Sequence, residues 1–202
     1  MTDAPADAII DLYQRHAAAW DAARGRGLFE QAWLDRLLGL LPRGGRVLDI
    51  GCGAGEPIAK YVINRGFALT GVDSAPAMIE RCVMRFPEAA FHVADMRTLA
   101  LGETFDGLIA WDSFFHLTRD AQRAMFAVFE AHATPGAALL FTSGPSDAEA
   151  IGTFEGEPLY HASLDAAEYE RLLADHGFEK LSMVADDPSC GGHTVWLARK
   201  RQ

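Results

Sequence analysis

The sequence predicts an α/β protein: a mostly parallel sheet with helices on both faces, a last strand that runs antiparallel, and a helical segment ahead of it. Three observations carry this. From residue 46 onward, short apolar runs of strand character alternate with stretches of helical periodicity, the pattern of βαβ units joined by right-handed crossovers. The glycine-rich stretch VLDIGCGAGEP, residues 47–57, links the first strand to the helix after it. The last two strand-like runs are separated only by DDPSCGG, too short for a parallel return, which needs about a dozen residues or more.

Each element has its own local signal. Ile9, Ile10, Tyr13, Ala17 and Trp20 recur at helical spacing from about 7 to 23, and a second stripe of Phe29, Trp33, Leu37 and Leu41 stops at Pro42. Residues 1–42 therefore read as an N-terminal helical lid, with RGRG at 24–27 as a hinge or loop, and 43–202 as the core of the same single domain. Strands are expected at 46–50, 67–72, 90–94, 105–110 and 137–143, with helices at about 57–65, 75–85 and 119–132. GPSDAEAIGTFEGEPLYHA, residues 144–162, has no clear period and is expected to be a lid or binding loop. Asp165 with Glu168 reads as a capping box, Leu164 with Tyr169 as a hydrophobic staple, and Gly177 as a left-handed stop. The closing strands fall near 178–185 and 193–199.

Composition narrows the function. Half of the 202 residues are hydrophobic and 23% are charged, as in ordinary globular proteins. No apolar run nears the roughly 20 residues of a membrane span, and MTDAPADAII lacks a signal peptide's basic start, so a cytoplasmic address without membrane contact is expected. A net charge of -10 argues against nucleic acid as a partner. Cys52, Cys82 and Cys190 form no CxxC pair, so no metal site and no disulfide framework is suggested.

The glycine loop is the chemical signal. Gly51, Gly53 and Gly55 let the backbone turn tightly and approach a ligand. The dinucleotide fingerprint GxGxxG is not met: the spacing is GxGxG, and Glu56 stands where that fingerprint has its third glycine. A carboxylate there would repel a pyrophosphate and suits a cationic ligand. Asp73 ends the second strand, where an acid accepts from ribose hydroxyls, and Asp95 with Met96 ends the third, where carboxylate and backbone N–H can meet an adenine.

These residues resemble the class I S-adenosylmethionine-dependent methyltransferases, whose Rossmann-like seven-stranded sheet ends in an antiparallel strand. VLDIGCGAGEP resembles their first motif, GVDSAPAMI the acidic ribose loop, VADMRTL the adenine motif and FDGLIAWDSFFHL the fourth motif. The resemblance implies S-adenosyl-L-methionine as cofactor, with S-adenosyl-L-homocysteine as product. By it, Asp49, Gly51, Cys52, Gly53 and Gly55 face the methionine portion, Asp73 the ribose, Asp95 and Met96 the adenine, and Ala110 and Trp111 sit beside the donor, with Ser74 and Met78 as further cofactor-binding residues. The expected reaction is O- or N-methylation of a small-molecule acceptor by a monomer or homodimer, under a roof of residues 1–30 and 144–163.

Competing roles stand beside these. Asp73 can cap the helix beginning SAPAM, and Asp49 can hold the glycine-loop amides. His116 can take the acceptor's proton or bond backbone ahead of the next helix. Tyr13 and Trp20 can cover the site or fill the core. Asp112, Tyr160, His161 and His193 lie on loops that can line an acceptor pocket or be structural. At the level of function, a non-catalytic nucleoside-binding sensor and an NAD-dependent oxidoreductase are the alternatives.

Overall fold

The computed structural model describes residues 4–202, with side chains from residue 6; the first three residues of the predicted roof lie outside the described residues. The order of elements is α1 (Ala4–Asp7), α2 (Ile9–Arg24), α3 (Gln31–Leu38), β1 (Arg46–Ile50), α4 (Ile58–Asn64), β2 (Ala68–Asp73), α5 (Pro76–Arg85) and β3 (Ala90–Val93). Then follow β4 (Phe105–Ala110), α6 (Arg119–His132), β5 (Ala133–Ser143), β6 (Ala148–Phe154), β7 (Glu157–Ser163), α7 (Ala166–Asp175), β8 (Phe178–Asp187) and β9 (His193–Lys200).

Seven strands form one sheet in the order β3-β2-β1-β4-β5-β9-β8. The first five run parallel, while β9 is antiparallel to both β5 and β8. The central strands are buried on both faces: Val47 to Ile50 of β1 are at most 2% exposed, as expected of parallel strands covered by helices on each side. Alternate residues feed two cores. Leu48, Ile50, Leu108 and Phe141 pack with Phe126 and Phe129 of α6 and Tyr169 and Leu173 of α7. Val47, Leu69, Ile109 and Leu140 pack on the opposite face against Trp33, Leu34 and Leu37 of α3 and Val62 of α4. The first core is aromatic at its centre, with the Phe141 and Trp196 rings stacked at 5.6 Å.

Residues 144–162 depart from expectation. They are not an irregular loop but the β6–β7 hairpin, a separate two-stranded sheet. Its first strand is exposed on both sides from Ala148 to Thr153, so no apolar face imposes the alternation that reveals a strand. The turn is Glu155–Gly156, both at positive φ, 49° and 80°, the type I′ geometry that usually recruits Asn-Gly or Asp-Gly. The predicted capping box is half formed: Asp165 accepts from the Ala167 N–H at 2.8 Å, while Glu168 turns away to Arg123 at 2.7 Å. Leu164 and Tyr169 share the first core, and Gly177 takes the expected left-handed φ of 76°. Among the described residues no helix is long and apolar enough to cross a membrane.

Trp196 closes the first core, is 1% exposed and donates from Nε1 to Ser143 Oγ at 3.0 Å. Trp196→Ala is expected to lower unfolding free energy by about 3–5 kcal/mol, measured by urea denaturation.

Candidate nucleoside site

The site is built where β1, β2 and β4 end together. Gly51, Gly53 and Gly55 sit at φ 78°, 53° and 81°, a region that L side chains rarely adopt. At Gly51 a side chain is also excluded by space, since a Cβ there would lie 2.2 Å from Ser113 Cβ. Ser113 in turn donates to the Ile50 carbonyl at 2.7 Å, clamping the end of β1 to the loop after β4. Asp73 performs the same service from the other side: Oδ2 accepts from the Gly53 N–H at 3.0 Å and Oδ1 from the Ala75 N–H at 2.9 Å. The bond to Ala75 is a local turn two residues on and not a helix cap, since α5 takes no side-chain cap. Burial raises the Asp73 pKa, and these backbone amides oppose that shift.

A cavity of about 130 Å³ opens over this loop. Gly51, Gly53, Asp73 and Ser74 line its base, Met78, Asp95 and Met96 its far end, and Ile10, Tyr13 and Trp20 of α2 its roof. The roof is fastened by charge: Asp21 of α2 bonds Arg85 of α5 through both oxygens, at 2.9 and 2.5 Å, and Gln14 accepts from the Ala77 N–H at 2.9 Å. Tyr13 reaches across to His116, with Oη and Nε2 2.9 Å apart. Asp95 lines the cavity, but Arg97 holds its carboxylate through Nε at 2.9–3.0 Å and Nη2 at 2.6 Å. Burial pushes the Asp95 pKa up, and the Arg97 contacts outweigh it, leaving the group below its ordinary value. An adenine amino group would share that carboxylate with Arg97 or displace it.

A smaller cavity lies on the other side of Trp20, lined by Arg24, Asp49, Cys52, Glu56 and Trp111; Trp20, Gly51 and Asp112 line both. Asp49 is 2% exposed, and no hydrogen bond or ion pair holds its carboxylate among the described residues. Burial first, then the nearby Asp73 and Glu30 charges, push its pKa up to about 7. Arg24 pairs with the buried Glu30, whose Oε2 has no partner. Glu56 carries less free charge than its place in the loop suggests. Lys60 at 2.9 Å, Arg26 at 2.7 Å and Arg85 at 3.7 Å surround it, and the Lys60 hydrogen bond leads in holding its pKa low.

Asp112, just after β4, stands at φ 48° and meets His193 Nε2 at 2.9 Å. The imidazole lies between Phe29 and Trp111, ring centroids 5.5 and 5.6 Å away, and donates from Nδ1 to the Cys190 carbonyl at 2.8 Å. The Asp112 bond raises the His193 pKa.

Several expected site residues stand elsewhere. Ala110 is fully buried in the first core, because its side chain alternates away from the cavities. Gly55 faces Phe86 and Cys82. The Tyr160 ring packs with Ile9 and Ala162, and its carbonyl accepts from His116 Nδ1 at 2.8 Å. His161 lies behind His116, ring centroids 4.8 Å apart, and lines neither cavity. The sequence reading missed Arg24, Ser113 and Arg97. Arg24 was masked by the hinge-like RGRG, and the other two give no periodic signal.

A family model described as a methyltransferase domain matches residues 47–136. The 27-O-demethylrifamycin SV methyltransferase of Amycolatopsis mediterranei is 30% identical over an alignment spanning 96% of this chain and 77% of that protein. The dTDP-4-amino-2,3,4,6-tetradeoxy-D-glucose N,N-dimethyltransferase of Saccharopolyspora spinosa is 29% identical, and the match spans only 51% of its length and 60% of this chain. Among solved structures, the Burkholderia thailandensis 1,6-didemethyltoxoflavin-N1-methyltransferase, with bound 1,6-didemethyltoxoflavin and S-adenosylhomocysteine, superposes with a TM-score of 0.76 at 22% identity, over 100% of this chain and 92% of that one. The strand order, the glycine loop between acid-ended strands and the rifamycin-enzyme relationship agree: the chain belongs to the class I S-adenosylmethionine-dependent methyltransferases.

Proposed function

We propose that this protein binds S-adenosylmethionine across the two cavities and transfers its methyl group to a small-molecule acceptor, at nitrogen or oxygen. The observation that carries this is the pair of cavities meeting over the glycine loop, one floored by Asp73 and the other by the unpartnered Asp49. A nucleoside attached to a zwitterionic amino acid needs a ribose acceptor at one end and one anion and one cation at the other. Asp73 serves the ribose, Asp95 and the Met96 backbone the adenine edge, and Met78 the apolar face beside them. In the smaller cavity Asp49 suits the ammonium, and Arg24, released from Glu30, suits the carboxylate.

The bound sulfonium supplies an already activated methyl group. The protein's part is alignment and exclusion of water, with the acceptor about 3 Å from the methyl carbon in line with the breaking bond. Trp20, Gly51 and Asp112, common to both cavities, border the point where nucleoside and amino acid join. Tyr13 and Trp20 cover that point, and His116 orients Tyr13 by its hydrogen bond.

Calorimetry is expected to give micromolar dissociation constants for S-adenosylmethionine and S-adenosylhomocysteine, about -8 kcal/mol, and no binding of NAD. Asp73→Ala is expected to weaken both by about tenfold or more, the loss of charge-assisted hydrogen bonds. Absence of S-adenosylhomocysteine binding by the folded native chain would refute the reading.

Asp49 gives a pH test. With its folded pKa raised to about 7, the empty protein loses stability as pH rises from about 4, the unfolded value, through about 7. Asp49→Asn is therefore expected to raise the melting temperature at about pH 8 and to leave it little changed near pH 4. In the native chain S-adenosylhomocysteine should bind more tightly as pH rises from about 6 to 8, since the cation favours the ionised carboxylate; Asp49→Asn should flatten that slope.

A further inference from the structure

Methylation at oxygen and at nitrogen makes different demands on a site. A neutral alcohol or phenol must lose its proton as the new bond forms, so a base of suitable pKa has to stand beside it. A neutral amine needs none. Its lone pair forms the N–C bond, the C–S electron pair stays with sulfur, positive charge passes from sulfur to nitrogen, and the ammonium gives its proton to water afterwards.

Asp49 is taken by the ammonium of the cofactor in the reading above, and beyond it the described side chains around the junction of the cavities offer no free base apart from Asp112. His116 Nδ1 faces the Tyr160 carbonyl, which only accepts, so Nδ1 carries the proton and the Nε2 lone pair takes the Tyr13 hydroxyl. Burial brings that imidazole down to about 4, neutral but already occupied. Burial likewise raises the Tyr13 hydroxyl far above its usual range. His193 faces an acceptor at each nitrogen, the Cys190 carbonyl and the Asp112 carboxylate. Both nitrogens therefore carry protons, and the ring is an imidazolium with no lone pair to offer. Its place between Phe29 and Trp111 favours the cation further.

Asp112 remains. Its Oδ1 meets His193 at 2.9 Å and the Thr142 hydroxyl at 3.4 Å, while Oδ2 takes no hydrogen bond among the described residues. It lines both cavities. A free carboxylate oxygen at this point is well suited to face a nitrogen that is gaining positive charge. Resting on the cofactor reading above, we infer that the methyl acceptor is an amine, that the Asp112 carboxylate meets its nitrogen, and that His193 is the positioning residue that fixes this carboxylate.

The test uses sinefungin, a S-adenosylmethionine analogue in which an amine-bearing carbon replaces the methylated sulfur, so that an ammonium stands at the reacting point whatever the acceptor is. The native protein is expected to bind sinefungin about tenfold or more tightly than S-adenosylhomocysteine, the gain of one charge-assisted contact. Asp112→Asn, isosteric and tolerant of positive φ, should collapse that ratio toward one. His193→Gln should reduce it in part and, in turnover, lower kcat with little change in KM for S-adenosylmethionine. Equal affinity of the native protein for both compounds, or an unchanged ratio in Asp112→Asn, overturns the inference. So does turnover of benzyl or phenethyl alcohol at a rate matching that of benzylamine or phenethylamine. Failure to bind S-adenosylhomocysteine at all is a separate outcome, which overturns the cofactor reading beneath it.

Discussion

The Asp73 carboxylate, with one oxygen on the Gly53 N–H and the other on the Ala75 N–H, ties the glycine loop after β1 to the start of α5 after β2. Everything in the site is placed relative to that tie. It leaves two loop amides, Gly51 and Cys52, to bond the Val72 carbonyl at 2.8 and 3.0 Å, so the loop is stitched along the end of β2 instead of folding over it. The strand ends stay open, and the base of the main cavity is backbone and one carboxylate. The same atoms can serve the fold and a ligand, because each carboxylate oxygen has a second lone pair beyond the one given to an amide.

Charge is distributed unevenly around that tie. Glu56 and Asp21 are surrounded by arginines and a lysine, and they hold the N-terminal helix against the core. Asp49, almost fully buried, forms no ion pair among the described residues. A buried carboxylate left without a cation is costly in an empty protein and becomes favourable only when positive charge arrives. The structure is thus strained electrostatically where a cationic ligand would relieve it, and well neutralised where only the fold is at stake.

Much of this was legible in the sequence. Parallel strands buried on both faces must be apolar throughout, and glycines that take positive φ leave few substitutes, so β1, β2 and the loop between them announced themselves. The acids at strand ends were visible for the same reason, as charges breaking apolar runs. The β6–β7 hairpin was hidden because its first strand is exposed from Ala148 to Thr153 and its turn uses Glu155 in place of Asn or Asp. The assignment of Ala110 to the site overlooked that a side chain on a strand has only two directions, and Ala110 points to the core. Arg24, Ser113 and the His193–Asp112 contact depend on distant segments meeting in space, and no spacing along the chain encodes such a meeting.

The helix that covers the glycine loop buries only Ile9, Leu12 and Ala17 of its own length, and partly exposed ion pairs do much of the remaining fastening, Arg26 to Glu56 and Arg15 to Glu157 among them. Such pairs are individually weak and are screened by dissolved salt. The apolar sheet beneath has no comparable sensitivity. Ionic strength therefore acts on how firmly this helix is held over the loop and hardly at all on the sheet beneath, so dissolved salt is a handle on the cover that leaves the floor unchanged.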